Sequence, residues 1–554
     1  MRQFIGLLGA ALALALAACA SAPPSPATTP SSTSTSTSTS TSTSTSTSTP
    51  ETAAGWWNDA VFYEIFVRSF ADSDGDGKGD FKGLTSKLDY LEELGVTGLW
   101  LMPIHPSTSY HGYDVTDYYG VNPDYGTLDD FKQFLSEARR RGIKVIIDFV
   151  INHTSSEHPW FQASQDPKSD KRDWYVWSDA KPDYAGPWNQ PVWHEGESGY
   201  YYGVFWEGMP DLNLRNPDVT AQIEDIARFW LEDVGVDGFR VDGARHLIED
   251  GAKQVNTPDT HAWFKQFHDF YKSVNPDAMT VGEVWDSVVV AAPYVRDGEM
   301  DLVFNFELAS TYMDGVNGRS GDKIRTSASD ILGRLPPGQY GSFLTNHDQN
   351  RVMSQFAGDA AKAKSAAVLY LTGPGTPFIY YGEEIGMTGA KPDEKIRTPM
   401  QWSAEANAGF TSGTPWIAVN EDYPQKNVAA QSAVPDSLLS LYRRLIALRN
   451  EHPALRSGDY TLVDAGHKSV YAALRATEDE AVLVLQNLGD QPVADYKLKL
   501  AGSLLRGRYT LAPLLGEGEF AQLDVDAGGG FADYQPLPEL KPGAAYVLLL
   551  KPAS

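Results

Sequence analysis

Reactive side chains follow four of the short apolar runs in this sequence. They comprise three carboxylates, two histidines and an arginine: His153, Arg240, Asp242, Glu283, His347 and Asp348. A single Asp after a strand is usually a cap or turn residue. Capping and turn formation do not explain why six reactive side chains gather at four such positions. Cleavage of an acetal needs an acid to protonate the leaving oxygen and a carboxylate on the opposite face of the sugar ring. The pattern therefore predicts a site that cleaves glycosidic bonds.

The elements that must position these side chains alternate between strand-like and helical patterns. Leu84, Leu88 and Leu91 show helical spacing after the first apolar run. Eight runs read as strands and are separated by helix-length segments, which predicts a (β/α)8 barrel with its functional residues at the C-terminal ends of the strands. The runs are 61–67, 98–104, 144–150, 236–241, 279–284, 302–306, 342–344 and 377–381.

Two further folded regions accompany the barrel. Residues 154–210 are too many for a loop and are rich in Trp and Tyr, so we predict a small domain inserted after the third strand. The barrel then comprises 55–153 and 211–465. Beyond 466, strand patterns divided by Gly and Pro turns predict a C-terminal antiparallel β-sandwich over 466–554.

The N-terminus predicts export and a lipid anchor. Residues 1–18 carry a positive charge at Arg2, continue as an apolar run too short for a typical membrane span, and end in Leu-Ala-Ala before Cys19. This resembles the lipobox of bacterial lipoproteins, in which the Cys is acylated; an ordinary cleaved signal is the alternative. Ala20 favours the outer membrane of a Gram-negative cell, with the protein periplasmic or surface-exposed. The Ser-Thr alternation within 19–54 predicts a disordered tether.

Bulk composition limits the partners. A formal net charge of −27 argues against nucleic acid and anionic membrane surfaces, whereas a neutral sugar is compatible with it. The single cysteine excludes an intrachain disulfide and a thiolate zinc site. We expect a monomer.

The motifs at the strand ends resemble those of glycoside hydrolase family 13, the α-amylase family. By this resemblance Asp242 is the nucleophile that forms a covalent glycosyl ester, and Glu283 is the general acid that later activates water. Asp348 grips sugar hydroxyls and stabilises the distorted transition state. The motifs, in family order, are DFVINH (148–153), GFRVD (238–242), VGEVW (281–285) and FLTNHDQNR (343–351).

The resemblance also implies supporting roles around these carboxylates. Arg240 would pair with Asp242 and keep it ionised, while Asp148 would support the strand end. Tyr113 would stack under the sugar next to the scissile bond. The remaining implied substrate contacts are His153 and His347 at the hydroxyls of that sugar, Arg245 and His246 on the product side, and Arg351.

An acidic loop after the first strand predicts a calcium site. Carboxylates recur at alternate positions on a Gly-rich loop after the first strand, and hard oxygen donors suit Ca²⁺. The closing Glu of an EF-hand is missing, and the loop resembles instead the calcium loop of this family. A solvated acidic turn is the alternative. The ligands implied by the resemblance are Asp72, Asp74, Asp76, Asp80 and a main-chain oxygen near Lys78.

Branch-specific motifs point to an intermediary group within the family. Residues 209–213 (MPDLN) resemble the neopullulanase-like branch, whereas 397–402 (RTPMQW) resemble oligo-1,6-glucosidases and trehalose synthases. Tyr110 stands where oligo-1,6-glucosidases carry an Asp that closes the sugar pocket. Gly243 stands where Val is associated with α-1,6 preference. These features favour endo-acting hydrolysis of α-1,4 bonds in starch-type glucans.

Two other functions remain open from the sequence. An exo-α-glucosidase or a transglycosylase of the trehalose synthase type would use the same carboxylates. A non-catalytic glucan-binding surface protein would typically lose members of the catalytic set, and all three are present here.

Overall fold

The strands and helices of residues 55–553 are described by a computed structural model. The strands, numbered along the chain, are β1 (Phe62–Ile65), β2 (Gly98–Leu101), β3 (Lys144–Phe149), β4 (Trp177–Ser178), β5 (Trp193–Gly196), β6 (Gly199–Tyr202), β7 (Gly238–Val241), β8 (Met279–Gly282), β9 (Leu302–Phe304), β10 (Tyr340–Ser342), β11 (Thr376–Tyr380), β12 (Asp459–Leu462), β13 (Val470–Ala476), β14 (Ala481–Asn487), β15 (Leu498–Leu500), β16 (Gly507–Leu515), β17 (Leu523–Val525), β18 (Phe531–Tyr534) and β19 (Ala545–Pro552).

The α-helices mostly lie between the barrel strands. They are α1 (Trp56–Asp59), α2 (Phe81–Thr85), α3 (Leu88–Leu94), α4 (Leu128–Arg140), α5 (Pro159–Ser164), α6 (Pro217–Arg228), α7 (Pro258–Val274), α8 (Val288–Arg296), α9 (Phe306–Asn317), α10 (Gly321–Leu332), α11 (Val352–Gln355), α12 (Ala360–Leu371), α13 (Asp393–Ile396), α14 (Val428–Ser432), α15 (Leu438–Glu451) and α16 (Pro453–Arg456). A π-helical segment, Phe229–Val234, continues α6, and 3₁₀ turns occur at Val67–Ser69, Pro123–Tyr125, Arg172–Trp174, Ala244–His246 and Ala406–Gly409.

Eight parallel strands of the described region close into a barrel in the order β1-β11-β10-β9-β8-β7-β3-β2. Most of their residues are buried on both faces, which explains why they occur in the sequence as continuous apolar runs. The predicted (β/α)8 barrel is confirmed.

Period-two alternation brings polar side chains towards the mouth of the barrel. Phe62 and Ile146 belong to the hydrophobic cluster that also contains Trp100, Phe304 and Phe378. Two residues later on the same strands stand Glu64 and Asp148, which therefore point to the same face, one layer nearer the C-terminal ends. Arg240 pairs in register with Asp148 across β3 and β7.

Two antiparallel regions adjoin the barrel, as predicted. The inserted domain contains a three-stranded sheet of order β4-β6-β5, and a bridge between His153 and Asp211 ties its two ends together. The C-terminal region forms a six-stranded sheet of order β12-β13-β14-β19-β16-β17 with a two-stranded sheet, β15-β18.

The C-terminal sheet begins earlier than the predicted boundary at 466. Strand β12 pairs antiparallel with β13 and so belongs to the C-terminal sheet. Its residues are exposed or half-buried, so no apolar run marked it in the sequence.

The signal peptide (1–18), Cys19 and the tether (19–54) lie outside the described residues. Among the residues that are described, no helix has both the length and the apolar character needed to cross a membrane.

Candidate active site

Three carboxylates from different strand ends meet in one cleft. Asp242 directly follows β7, Glu283 directly follows β8, and Asp348 lies in the loop after β10. The cleft has a volume of about 410 Å³. Its walls comprise these three carboxylates with His111, Tyr113, His153, Trp188, Phe205, Trp206, Met209, Gly243, Arg245, His246, Trp285, Asp393 and Arg397.

Arg240 lies beneath the cleft and holds two of the carboxylates. Its Nη1 donates to Oδ1 of Asp242 and to Oδ1 of Asp148, each at 2.7 Å. Its Nη2 is 2.8 Å from Oε2 of Glu283, but the direction of approach makes no hydrogen bond, so this contact is purely ionic. Arg240 is fully buried and does not line the cleft, which makes it a support for the carboxylates rather than a contact for substrate.

Glu283 lies in surroundings that favour its protonated form. Burial raises the pKa of Glu283 to about 7, with Arg240 opposing the shift and Asp242 and Asp348 adding to it. Burial thus contributes more than the neighbouring carboxylates that the sequence would suggest as the cause. A carboxylic acid with this pKa is available as a general acid near neutral pH.

Asp348 is held in the opposite state. Nη2 of Arg397 lies 2.8 Å from its Oδ1, and Nε2 of His347 lies 3.2 Å from its Oδ2. Burial alone would raise the pKa of Asp348, but His347 and Arg397 outweigh burial and lower it below its usual range. Asp348 therefore remains ionised while Glu283 carries a proton, which separates their chemical roles.

Tyr113 and His347 form a stacked pair on the Asp348 side. Their ring centroids are 5.6 Å apart at 17°, and Tyr113 Oη is 2.6 Å from Nε2 of His347. Tyr113 lines the cleft, whereas His347 is fully buried behind it and contributes no lining surface. In this structure both ring nitrogens of His347 contact protein groups, and its implied contact with sugar hydroxyls stays a prediction.

The predicted product-side residues Arg245 and His246 both line the cleft. Nη1 of Arg245 donates to the carbonyl of Trp285 at 2.6 Å and to Asp286 at 2.8 Å. Burial, helped by Arg245, lowers the pKa of His246 to about 4, so its imidazole is neutral. Burial likewise lowers the pKa of His153, another lining residue.

Arg351 does not line the cleft in this structure, and its implied role in substrate binding stays a prediction. It is only 2% exposed. Its Nε donates to the carbonyl of Ile396 at 2.8 Å and its Nη1 to that of Tyr381 at 2.6 Å. Its guanidinium satisfies a backbone carbonyl just after β11 and another at the end of α13, which fixes the segment that leads into Arg397.

Several lining residues were not singled out by sequence reasoning. Arg397 was noted only as part of a branch motif. Three indoles on the rim, Trp188, Trp206 and Trp285, are 59%, 48% and 45% exposed, and Trp285 is stacked on Phe306 at 4.8 Å. Exposed aromatic side chains that cluster along a cleft indicate a ligand-binding groove, and sugars offer C–H faces that can stack on such rings. The high Trp content of 154–210 was the sequence signal that could have indicated Trp188 and Trp206 as lining residues.

The acidic loop after β1 brings together three of its four predicted carboxylates. Oxygens of Asp72, Asp74 and Asp80 lie within 4.8 Å of one another. Asp76 lies outside this group, and its Oδ1 accepts the backbone N–H of Lys78 at 2.8 Å. The Lys78 ammonium lies 2.6 Å from Oδ1 of Asp124 and 3.8 Å from Oδ2 of Asp76.

Comparison with known proteins gives consistent matches along the chain. A family model described as the α-amylase catalytic domain matches residues 64–458. Alpha-amylase 3 of Dictyoglomus thermophilum is 42% identical over 78% of this chain and 85% of the relative. An oligo-1,6-glucosidase of Heyndrickxia coagulans is 35% identical over 82% of this chain and 97% of the relative. The crystal structure of an α-amylase from H. orenii superposes with a TM-score of 0.76 at 41% identity, covering 89% of this chain and 99% of the other.

Proposed function

This chain belongs to the α-amylase family of glycoside hydrolases, and from that premise we propose that it hydrolyses internal α-1,4 bonds of starch-type glucans with retention of configuration. The observation that carries the proposal is the shared hold of Arg240 on Asp242 and Glu283, at 2.7 and 2.8 Å. One guanidinium holds both carboxyl groups at the same cleft, so that a nucleophile and a general acid can act on one glycosidic bond, as the retaining mechanism requires.

The proposed reaction follows from the different protonation states of the three carboxyl groups. Protonated Glu283 gives its proton to the glycosidic oxygen while Asp242 attacks the anomeric carbon and forms a glycosyl ester. Glu283, now ionised, then removes a proton from water, which attacks the same carbon and releases Asp242. Asp348 remains negative throughout and stabilises the positive charge that develops on the sugar ring.

Preference for α-1,4 bonds is supported at Gly243. Its φ is +52°, in the left-handed region that disfavours β-branched residues. A Cβ there would also lie 3.1 Å from Cζ of Phe205, so the Val associated with α-1,6 preference would strain the backbone and press on this ring.

Endo action is supported at Tyr110. In place of the pocket-closing Asp, this ring stacks on Trp416, with centroids 5.3 Å apart, and does not line the cleft. This position therefore has no carboxylate that could close the cleft around the non-reducing end of a glucan.

Exo-α-glucosidase activity is the second candidate, because Asp393 and Arg397 add charged groups to the cleft wall. Their side chains, 3.7 Å apart, offer both acceptors and donors to the hydroxyls of a chain end. The similarity to an oligo-1,6-glucosidase also supports this second candidate. A transglycosylase would form the same glycosyl ester and transfer the sugar to another sugar instead of water.

Maltoheptaose blocked at its non-reducing end separates these functions. An endo-acting enzyme releases internal fragments from the blocked substrate, whereas an exo-acting enzyme cannot begin on it. No cleavage of the blocked sugar, together with rapid glucose release from the unblocked one, would favour the exo-α-glucosidase. Disaccharide isomers formed from maltose would reveal the transglycosylase.

We also propose that the loop after β1 binds Ca²⁺ through Asp72, Asp74 and Asp80, with Asp76 beside them. The donor set fits a hard cation, because it offers carboxylate oxygens and no nitrogen or sulfur. Burial opposes ionisation of Asp72, but hydrogen bonds from Thr411 and from backbone N–H groups lower its pKa, so the ligand is charged. A bound cation would stabilise the loop that follows β1.

Attachment to a membrane through an acylated Cys19 is a further proposal, and it rests on the sequence motif alone. It places the enzyme in the cell envelope, with residues 19–54 as the spacer before the barrel.

A further inference from the structure

A buried carboxylate with no assigned role lies under the site. Glu64, on β1, is 2% exposed. Its Oε1 is 2.5 Å from Nδ1 of His347, a side chain that has no exposed surface. The reaction proposed above does not use Glu64, although it faces the same end of the barrel as the catalytic groups.

The contact extends through His347 to Asp348. On the far side of the imidazole, Nε2 lies 3.2 Å from Oδ2 of Asp348 and 2.6 Å from Oη of Tyr113. Glu64, His347 and Asp348 thus form a continuous array from β1 to the cleft.

Carboxylates flank both nitrogens of the ring. Nε2 lies 3.2 Å from Oδ2 of Asp348, which is held ionised and can only accept a hydrogen bond, and Oη of Tyr113 can accept from the same nitrogen. Nδ1 faces a carboxylate, which accepts when ionised. Both nitrogens of His347 therefore carry hydrogen, and the ring is an imidazolium.

The charges around the ring agree with that state. Burial alone would lower the pKa of His347, but Asp348 and Glu64 outweigh burial and raise it to about 10. The titratable and charged groups that face this array from the surrounding elements are Glu64 on β1, Tyr113 after β2, Asp148 on β3, Arg240 on β7, Asp348 in the same loop, Tyr380 on β11 and Arg397 after α13.

We propose that Glu64 is a positioning residue for Asp348: it orients His347 and keeps it charged, and the charged ring in turn holds the third carboxylate of the site. Without the negative charge of Glu64, a buried imidazole would lose its proton more readily. A neutral ring would no longer attract Asp348 by its charge, so this carboxylate would be held less firmly in its position towards the sugar. Only the kinetic readout of this inference rests on the proposed glycosidase function.

The first test needs no substitution. In the full-length protein labelled with ¹⁵N-histidine, His347 should show two protonated ring nitrogens up to about pH 9, with a strongly deshielded Nδ1 proton. The signal is assigned by its absence from His347→Gln. A neutral His347 at about pH 8 in the parent overturns the proposal, even if every Glu64 variant fails to fold.

The second test is the pH dependence of Glu64→Gln. In the parent, Glu283 alone deprotonates near neutral pH, so log kcat/KM should fall with a slope of about −1 on the alkaline side. In the variant the pKa of His347 should fall below its parental value of about 10, so a second deprotonation should steepen the alkaline limb at a lower pH than in the parent, with kcat reduced about tenfold and KM changed less than about twofold.

Glu299→Gln is the matched control. Glu299 is also buried and also binds a histidine, with His261 Nδ1 at 2.8 Å from its Oε2, but neither residue lines the cleft. This variant should keep the parental slope.

A Glu64→Gln enzyme that retains both the parental slope and the imidazolium signal overturns the positioning role. If the parent hydrolyses no α-glucan while the imidazolium signal is present, the proposed function fails and the Glu64–His347–Asp348 array stands.

Discussion

Raising the pH through the pKa of Glu283 should switch off cleavage of natural glucans. The general acid must carry its proton when substrate binds, and burial sets its pKa at about 7. One pH unit above that value, about one molecule in eleven keeps the proton, so kcat/KM should fall about tenfold. The protonated, active form of Glu283 is therefore nearly complete about two pH units below this pKa, is half of the total at about pH 7, and is lost as the pH rises further.

The assay compares two substrates across the pH range. A maltooligosaccharide needs a proton on its leaving oxygen, whereas α-maltosyl fluoride loses a fluoride ion that needs none. The alkaline decline in kcat/KM should therefore be present for the first substrate and absent for the second. Glu283→Gln should lower turnover of the natural sugar at least about a thousandfold. For the fluoride, kcat/KM should be largely retained, because it reports formation of the glycosyl ester, whereas kcat should fall because hydrolysis of that ester still needs the base.

A kcat/KM for the natural substrate that stays flat to about pH 9 would refute this reasoning. So would an equal alkaline decline for both substrates, because the limiting group would then act in a step other than protonation of the leaving oxygen.

Three other outcomes are expected. Asp242→Asn should lower kcat at least about a thousandfold, because no other group can form the glycosyl ester; near-normal turnover by a folded variant would exclude this mechanism. Chelation should lower the melting temperature, because a cation that binds only the native state stabilises it. Asp74→Ala combined with Asp76→Ala should remove that sensitivity, and a parental response in calorimetry would place the cation elsewhere. Cys19→Ser should release the enzyme from the membrane fraction or stall its processing, since acyl chains supply the membrane affinity; undiminished partitioning with membranes would contradict the lipid anchor.

The barrel could be predicted from the sequence because each strand is buried on both faces. That burial requires continuous apolar runs, and the runs appear directly in the chain. The carboxylates Asp242 and Glu283 could be located for the same reason, since each follows the last residue of its strand. Strand β12 escaped prediction because it lies at the edge of its sheet and carries no apolar run.

Only the tertiary structure decided how the charged side chains are paired. Glu64 and His347 are 283 residues apart in sequence, and no periodicity relates them. Arg351 and Arg397 are equally basic in the chain, yet one satisfies backbone carbonyls and the other reaches Asp348. Sequence motifs supply the reacting groups because their positions follow from strand ends. Their protonation states depend on burial and on the distances between charges, which exist only after strands far apart in the chain have closed into the barrel.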